Sequence, residues 1–151
     1  MFLGGMPFIC GGYNGEWTDS CHKYDFTSDE WQLSGTMTEE RGYSGFASSD
    51  SWGLVMAGGN NDNPDFLSTV ATTLDGEAFG SLPNLPEISG IDEGNDESCV
   101  VIIDRERIFT CGGYQLSSYT FIYYSSTNSW TKYNNFYYHE NKVKCFPNNP
   151  S

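Results

Sequence analysis

The residues of this 151-residue chain whose types lend themselves to chemistry are few: two histidines (His22 and His139), five cysteines (Cys10, Cys21, Cys99, Cys111 and Cys145) and two acidic loops. A zinc centre gathers several His or Cys ligands at short spacing. The chain holds neither a Cys-x-x-Cys pair nor a paired-histidine helix, so no metal site is expected. The loops "GNNDNPD" (59–65) and "DEGNDE" (92–97) cluster oxygens that suit calcium, yet neither follows the ligand spacing of a calcium-binding hand loop. Both read as solvated connectors. Ser, His and Asp are all present, but no motif places them as a nucleophilic triad. No catalytic residue and no cofactor is assigned.

The elements that must carry these residues are strands. Aromatic residues make up 16% of the chain, with ten Tyr, ten Phe and four Trp, and there are seventeen Gly. That composition favours an all-β fold. Twenty acids against seven bases leave a net charge of -13, which repels phosphate backbones and anionic lipid. Nucleic acid and membrane insertion are therefore not expected. No stretch approaches the apolar length that spans a bilayer, and the start "MFLGGMPFICGG" lacks a basic leader and is interrupted by Gly4, Gly5 and Pro7.

One phrase recurs along the chain. Shifting the sequence by 54 residues lays "YSGFASSDSWGLVMAGG" (43–59) on "ESCVVIIDRERIFTCGG" (97–113) without a gap. Each reads as strand, turn, strand, double glycine. The double glycines fall at Gly11-Gly12, Gly58-Gly59 and Gly112-Gly113, intervals of 47 and 54, each after an apolar run. Downstream, Tyr24 and Trp31 stand seven apart, as do Tyr123 and Trp130, and Thr72 and Phe79 take those places in a degenerate middle copy. Turn-forming residues lie between, among them Asp75-Gly76, a strong hairpin signal.

A hydrophobic strand ending in a double glycine, followed by a spaced tyrosine and tryptophan, resembles the kelch repeat, and the resemblance covers nearly the whole chain. It implies four-stranded antiparallel blades of a β-propeller, about three of them. The expected blades are 1–35 (strands two to four only), 36–86 and 87–134, with 135–151 supplying the first strand of a fourth. In that scheme the glycines and the aromatic pairs are scaffold. A blade cannot bury both faces alone, so the expected completion is either further blades in a longer chain or self-association of copies that closes the propeller.

Within the implied blades, a hairpin turning between Gly15 and Glu16 sets Cys10 opposite Cys21, and a second candidate bridge joins Cys99 and Cys111 in a diagonal register. The alternative is that these are buried free thiols. If bridged, they belong in an oxidising compartment. The segments "ICGG" and "TDSCHKYD" resemble secreted kelch proteins, which favours an extracellular location, although no Asn-x-Ser/Thr acceptor has a permitted middle residue.

The resemblance also implies a ligand surface at the end of the blades where the links between second and third strands gather with those between blades. Tyr13, Trp17, Asp19, Arg41, Tyr43, Asn61, Asp62 and Tyr114 lie there, and exposed aromatics and arginine anchor protein interfaces. The expected function is a non-enzymatic protein-interaction module whose partner the sequence does not name. The alternatives are a fragment of a propeller enzyme resembling galactose oxidase, whose tyrosine, histidine and cysteine set the chain does not show, or of a kelch substrate adaptor of a ubiquitin ligase.

Overall fold

The computed structural model describes residues 1–61, 67–87, 98–113 and 119–134. Among them there is no helix, and the strands form three antiparallel sheets. The first contains β1 (Phe2–Leu3), β2 (Met6–Tyr13), β3 (Trp17–Asp25) and β4 (Glu30–Thr36). The second contains β5 (Gly45–Ser49), β6 (Gly53–Ala57), β7 (Val70–Thr73) and β8 (Gly80–Leu82). The third contains β9 (Cys99–Ile102), β10 (Arg107–Cys111), β11 (Tyr119–Tyr124) and β12 (Ser129–Asn134). Within every sheet each strand pairs with its neighbour in sequence, a simple meander of four.

The central strand of this stack is β6. All five of its residues are buried, although an antiparallel strand with one wet face alternates apolar with polar. The alternation is still there, directed at two cores. Leu54 and Met56 pack with Phe8, Cys21 and Met37 of the first sheet, while Val55 and Ala57 pack with Val100, Ile108 and Tyr123 of the third. The second sheet is therefore covered on both sides. The first strands of the three sheets also lie side by side, β1 against β5 and β5 against β9. This is the arrangement of successive propeller blades about a common line.

The double glycines adopt one backbone conformation three times over. Gly11 and Gly12 have φ of 64° and 120°, Gly58 and Gly59 of 68° and 115°, Gly112 and Gly113 of 73° and 112°. Side chains avoid that left-handed region. At Gly11 space forbids one as well, because a Cβ would lie 2.1 Å from the Arg41 carbonyl oxygen, where the chain enters the second sheet.

Tyr24 stands directly opposite Trp31 across β3 and β4, and Tyr123 opposite Trp130 across β11 and β12. Both pairs have ring centroids 5.3 Å apart. In the middle sheet the expected pairing of Thr72 with Phe79 is out of register. Thr72 faces Gly80, and Thr73 takes the place of the tyrosine. Thr73 faces Leu54 as Tyr123 faces Ile108, and it is buried. The reason lies in the turn: the Thr73 hydroxyl accepts from the Gly76 N–H at 2.9 Å, and the turn tucks beneath the Phe8 ring, which occupies room a tyrosine would need.

The first sheet also departs from expectation. It has a first strand, β1, reduced to two residues paired with Met6 and Pro7. The expected fourth-blade strand at 135–151 lies outside the described residues.

Cys10 and Cys21 are opposite one another and bridged, with Cα atoms 4.1 Å apart. The second expected bridge is corrected. Cys99 and Cys111 are directly opposite, not diagonal, yet Cys111 is a free thiol. Cys99 is already disulfide-bonded, and a sulfur forms only one such bond. Burial pushes the Cys111 thiol above its usual pKa.

Replacing Phe8 by Ala removes a ring that joins the first two sheets and should cost about 3–5 kcal/mol, measured by denaturant unfolding. Three turn carboxylates set the acid limit. The Thr27 N–H holds Asp25 below the usual carboxylate pKa, the Glu77 N–H does the same for Asp75, and the Arg107 guanidinium for Asp104. A pKa lower in the folded than in the unfolded chain gives stability that is present above the unfolded value, about 3.9, and is lost as pH falls through the folded one. Thermal melts should therefore drop below about pH 4, and Asp75→Asn should make that drop shallower.

Candidate functional site

The β2–β3 hairpin sets the first part of the site. Tyr13 closes β2 and Trp17 opens β3, directly opposite across the Asn14–Gly15–Glu16 turn. Their ring centroids lie 5.0 Å apart at 52°. A bulge between Cys10 and Gly12 shifts the register here, so that Gly12 pairs with Thr18 while Cys10 still pairs with Cys21. Trp17 leans toward the second sheet over Gly42, where a Cβ would come within 2.5 Å of the indole.

The link between the sheets supplies the rest. Gly42 and Asn60 exchange two backbone hydrogen bonds of 2.9 Å, which fixes the chain just ahead of Tyr43. Tyr43 has φ of 54°, a left-handed conformation that is an outlier for a bulky side chain. Backbone strain of this kind clusters at binding sites. Its ring meets Trp17 edge-on at 5.9 Å. Tyr13 and Tyr43 are 58% and 60% exposed, and they flank the half-buried Trp17 as an aromatic platform.

Arg41 lies beneath that platform and is only 1% exposed, so it is not the surface anchor its type predicts. Its Nη1 donates to the carbonyls of Gly58 at 3.1 Å and Thr69 at 3.3 Å. Its Nη2 donates to the Thr69 hydroxyl at 2.8 Å and to the Glu39 carboxylate, and Thr69 donates to the same carboxylate. Its backbone reaches the other way, with the carbonyl accepting from Gly12 N–H at 2.8 Å and the N–H donating to Thr18 at 3.3 Å. Burial pulls the guanidinium pKa down and the Glu39 charge pushes it back up. Arg41 Nε and Trp17 Nε1 are buried and find no acceptor among the described residues.

The structure thus brings Tyr13, Trp17 and Tyr43 together, with Arg41 below them. Asp19 follows on β3, half-buried, its carbonyl accepting from Met37 N–H at 2.9 Å. Asn61 is half-buried beside the Gly42–Asn60 bridge. Asp62 and Tyr114 lie outside the described residues. Glu39 and Thr69, which hold Arg41, were not singled out by the sequence, where the only hint was a lone arginine in "TEERGY". No group of three or more metal-ligating side chains forms among the described residues. A concavity of about 350 Å³ opens at the far end of the second sheet between Ser51, Trp52, Thr72, Leu74 and Asp75. The carboxylate there is occupied by the N–H groups of its own turn.

Residues 4–38, which span most of the first sheet, match the profile of the Kelch motif. That segment carries a Kelch motif, and the three four-stranded antiparallel sheets are consistent with incomplete kelch blades. The kelch marks of the first sheet, double glycine and paired aromatics, recur in the third, and the second keeps the glycines while losing the tyrosine. No curated protein matches the sequence. The β2–β3 turn and the link between the first two sheets meet at one end, and Arg41 ties them there.

Arg41→Ala should destabilise the fold by about 2–4 kcal/mol, because two buried carbonyls lose their donor and Glu39 loses its counter-charge. Arg41→Lys should recover only part of this, since an ammonium lacks the planar fork. Chemical denaturation of both variants measures the difference.

Proposed function

We propose that this kelch-repeat chain is a non-enzymatic interaction module that takes a protein partner on the Tyr13–Trp17–Tyr43 end of its first two blades. The observation that carries this reading is the platform itself. Two exposed tyrosines are held on a half-buried tryptophan, one of them at a backbone conformation with an energetic cost. Tyr and Trp combine large apolar area with a polar tip and little rotamer freedom, the qualities of interface anchors. Arg41 supports them from below and contributes rigidity. The Cys10–Cys21 bridge favours an oxidising, extracellular setting for the module.

The test uses a photo-crosslinking residue at position 13 and, as a control, at Arg105 in the β9–β10 turn. A partner should be cross-linked from position 13 and not from 105. Tyr13→Ser with Tyr43→Ser should weaken its capture at least about tenfold, the effect of losing one anchor of 1.4 kcal/mol or more, with melting unchanged. Equal capture by the double variant and the native protein would place the binding surface elsewhere.

A further inference from the structure

The Asn14–Gly15–Glu16 turn that joins Tyr13 to Trp17 holds two groups able to react with each other, the side-chain amide of Asn14 and the backbone nitrogen of Gly15. Asn14–Gly15 is the only Asn-Gly pair in the chain. Both residues are exposed. The residue after an asparagine ordinarily screens its own nitrogen with its side chain, and glycine has none. The space on that side is empty as well, because a Cβ built on Gly15 would meet no atom within 4 Å.

The hydrogen bonds of the turn leave that nitrogen free and prepare the amide. Asn14 N–H donates to the Glu16 carbonyl at 3.2 Å, and Glu16 N–H donates to Asn14 Oδ1 at 3.4 Å. Gly15 N–H donates to no group among the described residues. The bond to Oδ1 folds the side chain back along the Gly15 peptide, and it aims a donor at the oxygen on which negative charge gathers when the amide carbon is attacked. Asn128, in the β11–β12 turn, is the contrasting case. Its Oδ1 accepts from the Tyr123 hydroxyl at 2.8 Å, and the next residue, Ser129, has a side chain and begins β12 opposite Tyr124.

We infer that Asn14–Gly15 is a self-modification site, a clock built into the aromatic platform. The deprotonated Gly15 nitrogen attacks Asn14 Cγ and forms the C–N bond that closes a succinimide ring. The bond from Cγ to the side-chain nitrogen breaks, and that nitrogen leaves as ammonia with protons supplied by water. Water then adds to one of the two ring carbonyls. Opening at one restores the chain with aspartate at position 14, and opening at the other gives isoaspartate, whose main chain runs through Cβ and Cγ. Nothing is oxidised or reduced: an amide and water become a carboxylate and ammonium.

Isoaspartate lengthens the main chain between Tyr13 and Trp17 by one carbon, and the register of a hairpin follows the length of its turn. Tyr13 stands directly opposite Trp17, with ring centroids 5.0 Å apart, across the turn at its present length. The new carboxylate also adds charge beside Glu16, in a chain whose net charge is already -13. The clock's effect on partner capture rests on the binding role proposed for the platform, whereas the chemistry at Asn14 does not.

The test incubates the native protein at neutral and mildly alkaline pH and maps its peptides by mass spectrometry, with isoaspartate identified by fragmentation of its extra backbone bond. Position 14 should convert at least about tenfold faster than Asn128, and its rate should rise about tenfold per pH unit because a nitrogen anion is the nucleophile. The folded chain should convert no more slowly than the same chain in denaturant. Asn14→Gln keeps an amide but needs a larger ring to cyclise, so it should stay unmodified at this position. Conversion of the native protein should change the near-ultraviolet circular dichroism of the Tyr13–Trp17 pair and weaken partner capture, while Asn14→Gln behaves alike before and after incubation. A position 14 that stays intact, or that folding protects relative to denaturant, overturns the inference, and conversion with unchanged dichroism overturns the clock. Conversion with altered dichroism and undiminished capture supports the modification and counts against the proposed binding role of the platform.

Discussion

The hydrogen bonds centred on Arg41 hold the first two sheets in one relation. Through its backbone the residue is fastened to Gly12 and Thr18, and through its guanidinium to Gly58 and Thr69. It connects one double glycine to the next. A buried cation is costly unless its donors are met, and here Glu39, a hydroxyl and two carbonyls meet Nη1 and Nη2. The glycines have a matching role: without side chains they bring carbonyl oxygens close enough for a neighbouring sheet to use them. The aromatic platform then rests on a base with little freedom to move.

The three sheets answer the same geometrical problem with different side chains. The interface between second and third sheets is filled by Tyr123, Trp130 and Trp52, with two indole N–H groups bonded to carbonyls of the facing sheet. The interface between first and second relies on Phe8, Met56 and Met37 around the Cys10–Cys21 bridge. Thr73 belongs to this second solution. Because Phe8 reaches across to the turn at Gly76, a small residue that hydrogen-bonds the turn serves better there than a ring.

What was legible in the sequence follows from which signals are local. The strands, the double glycines and the Cys10–Cys21 pairing could be read because each depends on spacing along one hairpin. The middle hairpin was misread by one residue since its turn is a different length, and turn length sets register. Opposition of Cys99 and Cys111 was nearly recognised, but opposition does not determine which thiol is already engaged. In the candidate site, Tyr13, Trp17 and Tyr43 were identifiable as aromatics in links. Arg41 was assigned to the surface because nothing in "TEERGY" reveals that Thr69, 28 residues on, waits to bind it.

The left-handed backbone at Tyr43 decides more than the direction of one ring. A side chain whose main chain is pinned by a glycine bridge on one side and by packing on Trp17 on the other has surrendered its freedom during folding. A molecule arriving at this end meets a surface that is already set, and little entropy remains to be lost at the moment of contact. Under the proposed function, recognition there is a matter of shape fit, with selectivity residing in the spacing of two phenol rings about an indole.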